Sequence, residues 1–238
     1  MNLDWFAAWQ AITHHPLFGV GITLGAYQLA MVGYEKTRWV FLQPVLVSMV
    51  IVIAILLICG LSYAEYKVSV ASMTLLLGPA TVALAVPLFL NLRRIRQLFW
   101  PTVTTLLAGG LVATCLGIGI AWLFGAEHLI LMSIAPKSVT SPIAMLVADQ
   151  IGGIAALAAV FVMLTGVVGA ILGPSLLRLF GVRHHAAVGL ALGITAHAVG
   201  TSRAMQESEE CGAFAALAMS LMGMLTAVLL PLAIVLLR

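Results

Sequence analysis

The chain has 238 residues, 63% of them hydrophobic and only 8% charged, with mean hydropathy +1.16 and a formal net charge of +3. A water-soluble fold of that length would lack the polar residues to cover its surface, so a soluble globular domain is excluded. The few cations sit in short loops and form no basic face for nucleic acid, and no GxxxxGK[ST] loop is present to drive an ATP-fuelled pump.

The first segment, "MNLDWFAAWQAITHHP", carries an acid instead of a basic n-region and has no early apolar run, so it does not read as a cleaved signal peptide. Residues 1–15 are expected to form an amphipathic lead-in with Trp5, Phe6 and Trp9 at the membrane interface, and 16–238 one transmembrane domain. A bilayer core of about 30 Å takes about 20 residues of helix to cross. Apolar runs of that order fall at 17–33, 42–63, 70–90, 101–124, 153–177 and 212–237, with two interrupted ones at 129–148 and 186–205. The expected fold class is an all-α polytopic membrane protein of about six full spans plus interrupted or re-entrant helices.

Cations set the topology. Lys36 and Arg38, Arg93, Arg94 and Arg96, and Arg178 and Arg183 mark three basic loops that belong on the cytoplasmic side, whereas the turns with Glu65/Lys67 and Glu127/His128 are nearly neutral. If 129–148 crossed the membrane fully, Arg178 and Arg183 would end on the wrong side. A segment that enters and returns on one side, or two half-helices, removes the conflict.

That segment contains "SIAPKSVTSPIAM", residues 133–145. Pro136 and Pro142 each remove an N–H and disfavour helix in the residue before them. In hydrocarbon such a break is tolerated only where the chain lines a cavity or is buried in protein. Lys137 would cost about 2.5–3.5 kcal/mol at a helix centre. Beside broken helix ends, whose N–H groups favour anions, it makes a small carboxylate the natural ligand, with Ser138 and Thr140 as hydrogen-bond donors. The competing reading is a plain loop with Lys137 snorkelling to the headgroups.

The second interrupted segment, "TAHAVGTSRAMQESEE" (195–210), gathers His197, Thr201, Ser202 and Arg203, with Gly200 permitting a break. His197 could exchange protons near neutral pH, and Arg203 could grip a carboxylate by a bidentate fork. Alternatively His197 is a packing residue and Arg203 pairs with Glu207, four residues on. "LLLGPATVALAVPLF" (75–89) places Pro79 and Pro87 in either a third discontinuous helix or a kinked span. Cys59, Cys115 and Cys211 show no CxxC spacing, and His14–His15 and His184–His185 lack metal-ligand spacing. No metal, cofactor or enzymatic chemistry is expected.

Residues 134–145 align with 194–205 at a shift of 60, matching Ile, Val, Ala and Met, and "AALA" at 155–158 meets "AALA" at 215–218. Residues 77–88 align with 134–145 at a shift of 57, pairing Pro79 with Pro136 and Thr81 with Ser138. An internal repeat, with an inverted one among the alternatives, is expected over chance matching in an apolar alphabet. Corresponding interrupted segments point to a transport site.

"LGPATVALAVPL", "APKSVTSPIAM", "AHAVGTSRAM" and "GAFAALAM" together resemble the LrgB/CidB family of bacterial membrane proteins, whose relatives include the plastid glycolate/glycerate translocator. The likeness runs from about residue 15 to the C-terminus. It implies a multi-pass protein of the bacterial cytoplasmic membrane with a small LrgA/CidA-like membrane partner, and self-association into a homo-oligomer is a further expectation. It implies either antiholin-like control of murein hydrolases and lysis, or transport of small monocarboxylates of the pyruvate, glycolate, glycerate or lactate type. The family pattern covers Pro79, Pro136, Lys137, Ser138, Pro142, His197, Gly200, Thr201 and Arg203. The chain departs from it at Cys211, where the pattern has an acid, and at "AALA" in place of an "SSLA"-like run. The expected function is a secondary carrier for such monocarboxylates. Lys137, Ser138, Thr140, Thr201 and Arg203 would bind substrate and His197 would carry a coupled proton. The alternative is the holin- or antiholin-like regulator.

Overall fold

A computed structural model describes residues 5–13, 15–37, 42, 44–83 and 85–236; His14 and Arg38 of the sequence reading lie outside the described residues. Among the described residues the secondary structure is helical, with no strand. The chain divides after Ala83 into two compact units.

The first unit holds α1 (Trp5–Thr13), α2 (Pro16–Thr37), α3 (Pro44–Cys59), α4 (Tyr63–Ser69) and α5 (Ala71–Ala83). The span expected over 42–63 is shorter than predicted. α3 stops at Cys59, Gly60 takes φ 66°, and α4 leaves at 115° to α3. A glycine in the left-handed region ends the helix without a Cβ clash. Ser62 then starts α4 by a capping box, its N–H donating to Glu65 Oε2 at 2.8 Å and its Oγ accepting the Glu65 N–H at 3.3 Å. α4 packs closely on α2: a Cβ on Gly19 would lie 1.9 Å from Ser69 Oγ, and Thr23 Oγ1 and Tyr66 OH are 2.8 Å apart. Pro79, expected to break a helix, instead lies inside α5, which continues to Ala83. One missing N–H forfeits one intrahelical bond, which the turns on either side survive.

The second unit holds α6 (Ala85–Leu90), α7 (Leu92–Gln97), α8 (Phe99–Leu123), α9 (His128–Ile134), α10 (Ser141–Ile151), α11 (Ala155–Leu179), α12 (His185–Glu207) and α13 (Glu209–Leu236). Among the described residues four helices, α2, α8, α11 and α13, are singly long and apolar enough to cross a membrane; the bent α3–α4 pair would make a fifth. Six full spans were expected. The run at 42–63 is the one seen to fall into shorter pieces, α3 and α4.

Both interrupted segments of the second unit turn back on themselves. Ser133 Oγ, near the end of α9, accepts the Ile154 N–H at 2.8 Å, and a Cβ on Gly153 would lie 2.7 Å from Ser133 N. Between those points runs the 11-residue α10, about 16 Å long, so the chain has gone out and returned. α12 has 23 residues and would span about 35 Å if straight. Yet His185 Nδ1 and Ser208 Oγ, at its two ends, are 3.1 Å apart, and a Cβ on Gly200 would meet Leu192 O at 2.3 Å. The reversal is at His197, with φ 40° and ψ −127°, the one non-glycine with positive φ among the described residues. The break was expected at Gly200; that glycine instead lets the second arm lie against the first.

The two hairpins enter from opposite ends of α8. The α9–α10 hairpin follows directly on the C-terminal end of α8. The mouth of the α12 hairpin is tied to the other end, where Arg94 of α7 bonds Glu210 Oε1 at 3.2 Å and His184 Nε2 at 3.2 Å. α11 therefore runs from the mouth of one hairpin to the mouth of the other. Arg94 and the Arg178/Arg183 turn thus share a side, as the charge bias required of a re-entrant 129–148.

Small residues allow the close packing. Cβ atoms added at Gly166, Gly169 and Gly173 of α11 would meet His197, Ala196 and Leu192 within 2.8 Å. Those at Gly189 and Gly193 would meet the α13 carbonyls of Cys211 and Ala215 at 2.2 and 2.3 Å. Helices in lipid associate through such contacts because hydrocarbon offers no hydrophobic drive between them. The buried core joins Val139 and Ala144 of the first hairpin to Val162, Ile194, Phe214 and Ala218.

Candidate functional site

Pro136 and Pro142 bracket the first tip. α9 ends at Ile134, two residues before Pro136, and α10 restarts at Ser141 with Pro142 in its first turn, where a missing N–H costs nothing. Lys137 projects from this tip onto the middle of α8. Its Nζ donates to Ala113 O at 3.0 Å and to Ser138 Oγ at 3.3 Å. Ala113 stands ten residues, about 15 Å, from the end of α8 at Leu123, so the ammonium lies deep within any bilayer that α8 crosses. Gly117, one turn on, makes the room: a Cβ there would lie 2.6 Å from Lys137 Cε.

The ammonium is half-buried and has only neutral oxygens as partners; no carboxylate among the described residues pairs with it. Ser138 is buried beside it. Thr140 is the N-cap of α10, but no side chain caps that helix, which leaves first-turn N–H groups and the Thr140 hydroxyl able to donate. One cation, two hydroxyls and an uncapped helix start therefore converge at the first tip.

The second tip is built differently. His197 is 3% exposed, and its Nε2 donates to Val162 O of α11 at 3.0 Å, which leaves Nδ1 as the ring atom able to take a proton. Thr201 Oγ1 donates to His197 O at 2.9 Å, and its other contact is Met219 Sδ at 3.8 Å. Its hydroxyl is spent inside the hairpin and was expected to face substrate. Arg203 stands farther toward the mouth, its guanidinium bonded to Glu207 and Gln206. The local ion pair, weighed from the sequence as the plainer alternative, is the arrangement present.

The tips meet the same stretch of α8. Ile194, three residues before His197, packs on Gly109 at 3.4 Å from a Cβ position, and Lys137 packs on Ala113 and Gly117. Positions 109, 113 and 117 follow at helical spacing on one face. α11 repeats the arrangement: Val162 packs in the core with Ala144 of the first hairpin and bonds His197 of the second. Sequence reasoning missed Ala113, Gly117, Gly166 and Ser133. The glycine spacings in α8 and α11 were the available signal; a backbone carbonyl gives none.

The sequence profile of the LrgB-like family matches residues 23–236. The chain belongs to the LrgB-like family. It is 37% identical over 214 residues to the uncharacterized protein YxaC of Bacillus subtilis (strain 168), covering 90% of this chain and 93% of that protein. It is 29% identical over 222 residues to the antiholin-like protein LrgB of Bacillus cereus (strain B4264), covering 93% and 96%, and equally to that of Bacillus anthracis (strain CDC 684 / NRRL 3495). No solved structure matches the chain. The LrgB-like match spans both units and includes both hairpin tips.

Gly117 gives the seat of Lys137 a test in which stability and side-chain position separate. Gly117→Ala should move Lys137 off Ala113 O, because the clash falls on a flexible side chain. It should also gain about 1 kcal/mol of helix propensity in α8. The expected outcome is an unchanged or raised thermal midpoint in detergent together with faster labelling of Lys137 by an amine-reactive reagent.

Proposed function

We propose that this LrgB-like membrane protein is a secondary carrier of small monocarboxylates in the bacterial cytoplasmic membrane, with the substrate carboxylate seated at Lys137. The observation that carries the reading is the ammonium held mid-α8 on neutral oxygens alone. A cation in a low-dielectric setting without a counter-charge is costly, and a bound carboxylate supplies what the protein omits. Ser138, Thr140 and the start of α10 would orient it; Arg203, already paired, would act only if it left Glu207.

The hairpins support alternating access. A shift of 60 residues sets Lys137 on His197 and Ser141 on Thr201, tip upon tip, and carries α8 onto α11. We read the halves as an inverted repeat, since their hairpins enter from opposite ends, with the substrate between them near mid-membrane. His197 is then the residue to test for proton coupling.

The B. cereus and B. anthracis relatives are called antiholin-like, which favours a second reading, an antiholin-like regulator; on that reading the chain would control murein hydrolases and lysis with a small LrgA/CidA-like membrane partner. Proteoliposomes separate the two. The purified chain, alone and with such a partner, should take up labelled pyruvate, glycolate or lactate saturably, and a pH gradient should alter the rate if a proton is coupled. Release of unrelated solutes without saturation would reject the carrier in favour of a pore.

A further inference from the structure

We propose that the mouth of the α12 hairpin binds the phosphate headgroup of an anionic phospholipid. This stands apart from the carrier reading and concerns the other end of the hairpin. A cavity of about 230 Å³ opens there between the end of α11 and both arms of α12, lined by Arg178, Arg183, His185, Val188 and Glu207 among others. Arg178 and Arg183 are exposed, and neither guanidinium has a hydrogen bond or carboxylate partner among the described residues. Arg94, nearby in the same mouth, differs in being committed to Glu210 and His184.

The one acid lining the cavity, Glu207, is engaged by Arg203. His185 uses Nδ1 on Ser208, leaving Nε2 for an occupant. α12 also starts here, with no side chain capping its N-terminus at His184, so its first N–H groups add to the attraction for an anion. Two planar guanidinium forks and a helix start suit phosphate oxygens.

A lipid fits the surroundings better than a free phosphate. Leu176, Leu179 and Phe180, beside Arg178, are 48%, 78% and 79% exposed and offer a track for acyl chains. The basic turn belongs on the cytoplasmic side, where anionic headgroups meet pockets of this kind. The occupant would touch α11, the connecting turn and both α12 arms, and so hold the hairpin shut at its base.

The test uses the full chain in detergent, titrated separately with phosphatidylglycerol, phosphatidylcholine and inorganic phosphate. Thermal unfolding and native mass spectrometry provide the readouts. Phosphatidylglycerol should raise the midpoint and remain bound, and neither other probe should. Arg178→Gln with Arg183→Gln should weaken phosphatidylglycerol binding about tenfold or more. Arg93→Gln with Arg96→Gln, which removes two exposed cations from α7, should leave it unchanged. If the double variant fails to fold, the single variants decide, each expected to lose affinity severalfold. Equal effects of phosphatidylcholine, or full binding by the Arg178/Arg183 variants, would overturn the site. An equal shift with inorganic phosphate would overturn the lipid as its occupant.

Discussion

Lys137→Gln should raise the carboxylate concentration needed for half-maximal uptake into proteoliposomes by about 10- to 150-fold while leaving the protein as stable as before, or more so. The opposite signs follow from the surroundings of Nζ. Glutamine is one atom shorter and uncharged, but its amide keeps N–H donors directed toward Ala113 O and Ser138 Oγ, so most of the packing that seats the side chain is retained. What disappears is the charge. A hydrogen bond to a charged partner contributes about 1.5–3 kcal/mol, so substrate affinity should fall by about 10- to 150-fold. An unpaired ammonium in the membrane costs about 2.5–3.5 kcal/mol on insertion scales, so removing it relieves a penalty. A lysine whose purpose is to pin the first hairpin to α8 predicts the reverse, a lower unfolding midpoint with uptake lost only in proportion to unfolded protein. Saturable uptake that is unchanged in Lys137→Gln would reject the seat assigned to the carboxylate.

Much of this arrangement was readable in the chain, for identifiable reasons. Apolar runs report burial in lipid directly, and Pro136 and Pro142 bracket the first interruption because proline acts on the backbone locally. The charge argument for a re-entrant 129–148 needed only the positions of Arg178 and Arg183, and the Arg94 bonds to His184 and Glu210 agree with it. Tertiary terms were out of reach. The acceptor for Lys137 is a carbonyl, which Ala113 shares with every residue of α8. The turn in α12 falls on His197 instead of the permissive Gly200, because the imidazole bond to Val162 and the Thr201 bond to the His197 carbonyl fix a conformation that local preference disfavours. Gly60 and Ser62 together ended α3 early, a glycine and a cap that an uninterrupted hydropathy run conceals. Arg203 looked like a ligand because buried arginines commonly are, yet Glu207 at i+4 satisfies it first.

His197→Ala should destabilise the protein more than His197→Gly, a reversal of the order found in ordinary helices. At φ 40° a residue with a Cβ is strained by about 1–2 kcal/mol, and glycine is not. Both variants lose the bond to Val162 O, about 1 kcal/mol, and leave a void against Gly166, where the ring now fills the space. Alanine bears the same strain as the histidine, so its loss is that of the bond and the void, about 2–4 kcal/mol, whereas glycine relieves the strain and should be about 1 kcal/mol better, measured by reversible unfolding in detergent. The same pair tests the proton role. His197→Gly keeps the turn but has no titratable group, so a carrier coupled through this imidazole should still exchange substrate between equal pools while no longer responding to a pH gradient. If gradient-driven uptake persists in a folded His197→Gly protein, the histidine is an anchor for the tip and the coupled proton travels elsewhere.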